Sequence, residues 1–415
     1  MSTCKVSAYK EWFSWFLLTM FFFGHYFFRI TPANMNIQIM KTFSLSVSDI
    51  GILIQCFFLP YTLAQLPVGY CIARFSTKRL ITLACFMCAF ATLLFSQASS
   101  FMILCGCTIL YACFAAFGFV GAVSYANANL PKQYQSLAVG LTQSLGMVGG
   151  FLGVNLIAYF IQFYSWQHIT LIMGLVLGLL AVLIAFLVPQ TPAPIQQSKK
   201  NPETTEPADQ ERSIFLQSKT WFNALYAGFI YLPVMVFTES FGKNILLATQ
   251  QHSEKAISFG LSLVFVGWII GGPTCGIIAD RYGRVLVMKI SAVSGLIFTA
   301  LFLFVPMSLL ALNISLFLFG LTNTGIVGCY SISAEMHGPA KASVSIAVAN
   351  MTTILVGALL VPLLPRLLEM QAHPVFVHNI PVYSALDYQQ SFGLVLFAPI
   401  IAYLCAVFTK ETKKF

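Results

Sequence analysis

Runs of roughly twenty mostly apolar residues recur twelve times along this chain, and no other property limits its possible folds so strongly. They cover about 12–34, 48–70, 79–97, 101–125, 136–160, 168–188, 221–246, 255–279, 286–306, 308–333, 343–364 and 391–409. A helix of that length crosses a bilayer core about 30 Å thick. Charged residues make up 8% of the chain, against about 25% in soluble domains, so no water-facing surface can be assembled from them. The net charge of +9 is spread thinly and forms no basic polar domain, which argues against a nucleic-acid partner. Of the eleven cysteines, Cys85, Cys88, Cys105, Cys107 and Cys113 sit inside apolar runs. None falls at zinc spacing or in a paired C-x-x-C pattern, so neither a disulfide framework, a metal site nor a cofactor is expected. The composition points to an all-α integral membrane protein whose solvent is the lipid bilayer.

The first run is no cleavable leader: it is too long, no small-x-small site follows it, and Arg29 lies near its far end. With the N-terminus in the cytoplasm and loops alternating, seventeen Lys and Arg side chains fall inside and four outside. That bias sets the orientation and puts both termini in the cytoplasm of a multi-pass cell (inner) membrane protein. One long polar stretch breaks the pattern. Residues 189–219, rich in Pro, Gln, Lys, Glu and Thr, read as a solvated cytoplasmic linker. It separates a six-helix bundle at 1–188 from a second at 220–415.

The two halves repeat. Gly69 opens GYCIARFSTK and Gly276 opens GIIADRYGR, 207 residues further on. Gly118-Phe119-Val120-Gly121 and Gly325-Ile326-Val327-Gly328 keep that interval, as do Gln143 and Asn350. Parallel six-helix repeats place a substrate site at their interface near the bilayer midplane. The segment from Gly276 to Arg284 resembles the G-x-x-x-D-R-x-G-R signature of the major facilitator superfamily, and span count, linker and repeat extend the resemblance over the chain. The resemblance implies twelve helices in two pseudo-symmetric bundles and a cytoplasmic gate built on Gly276, Asp280, Arg281, Gly283 and Arg284, with Gly69 and Arg74 in the first half. There Gly276 permits close helix approach, and Asp280 and the arginines cross-link helix ends; plain positive-inside anchoring would explain Arg284 alone. The first copy departs from the pattern at Ala73 and Ser76. Span four lacks the arginine of many proton-coupled relatives, and span five lacks the Gly-Pro pair of drug antiporters.

Charge within a bilayer is costly and functional by default. Arg29 lies towards the outer end of span one, with His25 one turn earlier, and Glu239 lies in the outer half of span seven. Arg29 has the bidentate fork that grips a carboxylate, and the resemblance supports this, since organic-anion members often carry an arginine there. Glu239 would bind an amino group, carry a coupling proton with His25, or pair with Arg29 as an outer gate. The plainer alternatives are an Arg29 that snorkels, a Glu239 paired with Lys243 at i+4 and a His25 that packs. Tyr26, Gln143, Asn350, Tyr231, Asn323 and Trp268 complete the candidate substrate contacts, with Tyr226 beside them. Gln143 and Asn350 could instead serve as hydrogen-bonding glue between helices. Pro60 and Pro233 are expected to kink spans two and seven. Gly146, Gly149, Gly150 and Gly153 read as a close-packing face, and residues 366–390 as an outer solvated or lid-like loop.

The expected function is a secondary transporter, monomeric and working by alternating access. It moves a small carboxylate-bearing solute such as an amino acid, short peptide or organic acid, with a coupling proton or other ion. The pattern Y-x-x-R-x-x-P from Tyr26 to Pro32 is similar to a bacterial amino-acid and peptide uptake branch related to lysosomal dipeptide carriers. Drug or siderophore efflux is the alternative within transport, and a non-transporting sensor of the same fold is the alternative outside it. No span carries an enzyme's nucleophile–base constellation, and none supplies the charged ring or polar stripe of a channel.

Overall fold

The computed structural model describes residues 2–45, 47–190, 214–371, 375–377 and 380–412. Most of the polar stretch at 189–219 therefore lies outside the described residues, as do His373 and His378. Helices follow one another along the chain: α1 (Ser2–Phe43), α2 (Val47–Arg74), α3 (Thr77–Ser96), α4 (Phe101–Ala115), α5 (Phe117–Asn129), α6 (Gln135–Phe160) and α7 (Trp166–Leu187). The second half supplies α8 (Ser218–Val234), α9 (Gly242–Gln250), α10 (Glu254–Tyr282), α11 (Arg284–Phe304), α12 (Leu309–Thr322), α13 (Ile326–Glu335) and α14 (Ala342–Leu360). It ends in α15 (Leu363–Gln371), a hairpin of β1 (Val375–Val377) and β2 (Ile380–Val382), α16 (Ala385–Phe392) and α17 (Phe397–Phe408).

Among the described residues eleven helical segments are long and apolar enough to cross a membrane, from Asp49–Arg74 to Ala385–Phe408. Helix α1 carries the first of the twelve runs, and at 42 residues it extends well beyond 12–34 at both ends. The surface is inverted relative to a soluble protein. Phe186, Met102 and Leu310 are at least 70% exposed, which is stable only against lipid.

The chain divides into two compact units. One comprises residues 1–138, 142–214 and 334–351; the other comprises 139–141, 215–333 and 352–415. The 207-residue interval reaches the level of helix starts: α10, α11 and α14 begin that far after α2, α3 and α6. Even the defects repeat. Span four breaks at Ala116 between α4 and α5, and span ten breaks into a 3-10 turn at Asn323–Gly325, again 207 apart. The register ends after α14, where α15 and the antiparallel β1–β2 hairpin stand before α16. Among the described residues of the stretch from 366 to 390, helix and paired strands thus replace a simple loop. The sequence hid this because each piece is short: nine residues of helix and two strands of three.

Helix packing follows the small residues. A Cβ at Gly146 would fall 2.6 Å from the Phe22 ring, and one at Gly153 would fall 2.9 Å from the Phe27 carbonyl oxygen. At Gly149 it would collide with the Phe23 carbonyl. The spacing presents one glycine-lined stripe of α6 to α1, so the backbones meet at distances only small residues allow. Helix α2 continues through Pro60 and Pro67, so Pro60 does not interrupt span two. Pro233, by contrast, precedes a π-helical turn at Met235–Ser240.

Gly149→Ala is expected to destabilise the first unit by about 1–3 kcal/mol through overpacking, read as a lower apparent Tm in detergent. Gly106→Ala, where nothing lies within 4 Å of the added carbon, should hold or raise the Tm through better helix propensity.

Candidate functional site

Each unit holds a cluster in which polar groups are set among aromatic rings. In the first, α1 presents His25, Tyr26 and Arg29 within little more than one helical turn. The Arg29 side chain is half-buried, its guanidinium carbon 5.3 Å from the Tyr26 ring centre and 4.9 Å from that of Phe58 on α2. At those distances both ring faces attract the cation. His25 is 1% exposed and stacks on Tyr61 of α2 with ring centres 5.1 Å apart and planes 5° from parallel. Phe57 and Tyr111 close the stack at 5.6 and 6.4 Å. Neither His25 nitrogen meets a hydrogen-bond partner among the described residues. Asn350 belongs to the first unit.

The second unit centres on Glu239, which lies in the π-helical turn after Pro233. Tyr231 donates to Glu239 Oε1 at 2.7 Å, and the Tyr231 ring meets Trp268 of α10 edge-on, 84° from parallel, at 5.8 Å. The π turn adds a residue to one helical coil and resets the faces on which later side chains fall. Lys243, four residues on, pairs instead with Glu254. The i+4 pairing of Glu239 with Lys243 is therefore not the arrangement that the fold adopts.

Other expected contacts fall differently. Tyr226 is fully buried and donates to the Met288 carbonyl at 3.0 Å, which makes it a packing residue of α8 against α11. Asn323 is 0% exposed and neither of its amide atoms finds a partner among the described residues. Gln143, Asn350 and Trp268 are buried. Four aromatic residues escaped the sequence reading: Phe57, Phe58, Tyr61 and Tyr111. One signal would have found Tyr61, because Trp268 lies 207 residues after it. Span two and span eight thus offer an aromatic ring at the same repeat position, to His25 in one unit and to Tyr231 in the other.

The signature loop is a structural knot of the second unit. Gly283 has φ 112°, a conformation that strains any residue with a Cβ. Arg284, 3% exposed, lies 3.9 Å from Asp280 and donates to Thr412 Oγ1 at 2.7 Å. The Val285 amide donates to Glu411 Oε2 at 3.0 Å. The motif therefore ties the span eight–nine junction to the chain end beyond α17. Thr412 and Glu411 were missed because nothing local marks them. Arg281 lies over the neighbouring Tyr282 ring at 5.6 Å. In the first unit Gly69 is the close-approach point, since a Cβ there would sit 2.8 Å from Ala347 and 2.9 Å from the Val344 backbone; Arg74 is exposed at the end of α2. Among the described residues no three His, Cys, Asp or Glu side chains are grouped to hold a metal ion.

The model of the Major Facilitator Superfamily matches residues 15–362. The chain is 23% identical over 388 residues to the uncharacterized transporter YybO of Bacillus subtilis (strain 168), covering 86% of this chain and 87% of that one. It is 24% identical over 265 residues to the sialic acid transporter NanX of Escherichia coli (strain K12), covering 61% and 62%. The solved structure of the proton:xylose symporter XylE superposes with a TM-score of 0.74 at 13% identity, covering 98% of this chain and 97% of that one.

The tie to the chain end gives a local prediction. Glu411→Gln removes the charge from the acceptor of the Val285 amide, and charge-assisted bonds are worth about 1.5–3 kcal/mol. Amide exchange at Val285 should accelerate by about tenfold or more, while exchange in α3, the repeat-equivalent helix, stays unchanged.

Proposed function

We propose, from the premise that this chain belongs to the Major Facilitator Superfamily and is a multi-pass membrane transporter, that it moves a small carboxylate-bearing solute by secondary active transport. Alternating access is driven by a coupling proton. The half-buried Arg29, held over two aromatic rings, carries the reading. The two ring faces steady the guanidinium, and its planar fork matches a carboxylate. Tyr26 flanks that anion, and Gln143 and Asn350 supply neutral hydrogen bonds. In the second unit Tyr231 and Trp268 frame the solute.

Glu239 is the proton carrier. Its carboxylate oxygen already accepts from Tyr231, and a π-helical turn frees backbone groups that lower the cost of local rearrangement. His25, stacked and without a hydrogen-bond partner, orients the aromatic wall next to Arg29. Among carboxylate solutes, sugar acids and related organic acids are favoured over amino acids and peptides. Support comes from the relative named for sialic acid, a carboxylated sugar. The halves at 1–188 and 220–415, the linker at 189–219 and both termini in the cytoplasm of the cell (inner) membrane complete the reading. The Lys and Arg asymmetry of the loops supports that orientation.

Uptake of a sialic or aldonic acid into proteoliposomes tests this. Arg29→Ala should lower kcat/KM by about 100-fold and Arg29→Lys by about tenfold, because a point charge cannot reproduce the fork. Unchanged uptake in both variants sinks the carboxylate clamp. Glu239→Gln should abolish uphill accumulation under an imposed proton gradient while counterflow of labelled solute persists. Accumulation that survives the substitution rules out Glu239 as the carrier, and binding without counterflow in the unaltered protein would mark a sensor.

A further inference from the structure

We propose that the groove between α3 and α7 on the lipid-facing side of the first unit is a binding site for an anionic phospholipid. The groove has a volume of about 470 Å³, and Lys78, Arg79, Thr82, Phe86, Ala181 and Phe186 are among its walls. Its polarity is graded along α3. Lys78 and Arg79 lie at the membrane face where α3 begins, Thr82 comes one turn deeper, and Phe86 a further turn towards the bilayer centre. From Arg79 to Phe86 the helix rises roughly 10 Å, enough to cover the glycerol region and the first methylenes of an acyl chain. Ala181, a small side chain on α7, leaves the trough open, while Phe86 and Phe186 are exposed along it.

Three observations select the headgroup. No carboxylate is among the groove's lining residues, so its two cations meet no compensating charge there. The Arg79 guanidinium is steadied from just beyond α7: with its amide turned to satisfy both atoms, Gln190 accepts from Nε at 2.6 Å and Nη2 at 3.1 Å. That leaves guanidinium donors directed elsewhere, and Arg binds phosphate through such a fork. Finally, the Thr82 hydroxyl meets no hydrogen-bond partner among the described residues; closed to solvent in this arrangement, it reaches an ester or phosphate oxygen once a rotamer change turns it into the groove. Loop cations that merely anchor a helix need neither a trough nor an unsatisfied hydroxyl below them. Basic pockets between helices are the arrangement that recognises anionic lipid headgroups. A phosphatidylcholine would bring its own cation to Lys78 and Arg79, and a phosphatidylglycerol would not.

Native mass spectrometry of the delipidated full chain, titrated with phosphatidylglycerol or phosphatidylcholine of identical acyl chains, tests the site. Phosphatidylglycerol should be retained at a concentration lower by at least about fivefold, a modest return for two basic side chains beside an anion. Lys78→Gln with Arg79→Gln should erase that preference, while Lys132→Gln, which removes a loop cation away from the groove, should keep it. Ala185→Trp, at a partly exposed position of the groove wall, fills the trough without altering charge and should weaken retention of both lipids, so a charge variant that fails to fold does not remove the test. Equal retention of the two lipids by the unaltered protein, or preference that survives both the charge variant and the filled trough, overturns the proposal. Soluble glycerol phosphate that displaces the lipid at equal concentration would make this a site for free anions and overturn it as well.

Discussion

Within a bilayer the backbone has no water to turn to, so every amide and carbonyl must be satisfied by the segment itself or by protein around it. The interruptions in the spans show how strictly this holds. Ala115 and Ala116 are fully buried at the break in span four, and Asn323 and Thr324 are buried at the break in span ten. At the latter the Gly325 amide is taken up by Ser291 Oγ at 3.3 Å. Met235, Val236 and Phe237, which open the π turn, are buried too. Irregular backbone occurs where protein can cover it. Asn323 lies within one of these interruptions and Glu239 in the part-exposed second half of the π turn.

The repeat converts this constraint into a design carried out twice and then individualised. Helix starts, breaks and the aromatic positions of Tyr61 and Trp268 hold the 207-residue interval, so the backbone plan is shared. Side chains at matching places diverge. Ala116 answers to Asn323, and Tyr61 stacks on a histidine where Trp268 meets a tyrosine that holds a carboxylate. The first unit holds the Arg29 guanidinium over two rings, and in the second Glu239 accepts from the Tyr231 hydroxyl.

Much of this was legible in the sequence because lipid makes the code coarse. A run of twenty apolar residues has few structural options. Arg29 and Glu239 stood out because charge there is expensive. Legibility failed where the decisive partner is remote or the element short. Nothing near Arg284 announces Thr412, more than a hundred residues away, and the 3.6-residue period cannot reveal a π turn whose effect is to break that period. The helix and hairpin between α14 and α16 stayed hidden because segments of nine and three residues fall below the length at which periodicity speaks. Tyr226 was overvalued, since a hydroxyl in a span can equally satisfy a neighbouring helix's carbonyl.

The two copies of the signature loop show what a motif does once its geometry is known. Gly283 adopts φ 112°, whereas its counterpart Ser76 sits at φ −61°. The next residue is Arg284 in one copy and Thr77 in the other, and Asp280 answers to Ala73. The second unit therefore locks its eight–nine junction through a buried arginine shared by Asp280 and Thr412, and the first unit has neither the cation nor the carboxylate to do so. Breaking a buried charge pair costs about 3–5 kcal/mol. An exposed Arg74 forfeits nothing comparable when its surroundings rearrange. Chain ends are usually dispensable, but here the residues beyond α17 are part of the lock, and the stiffness of the signature loop is set in part by Glu411 and Thr412.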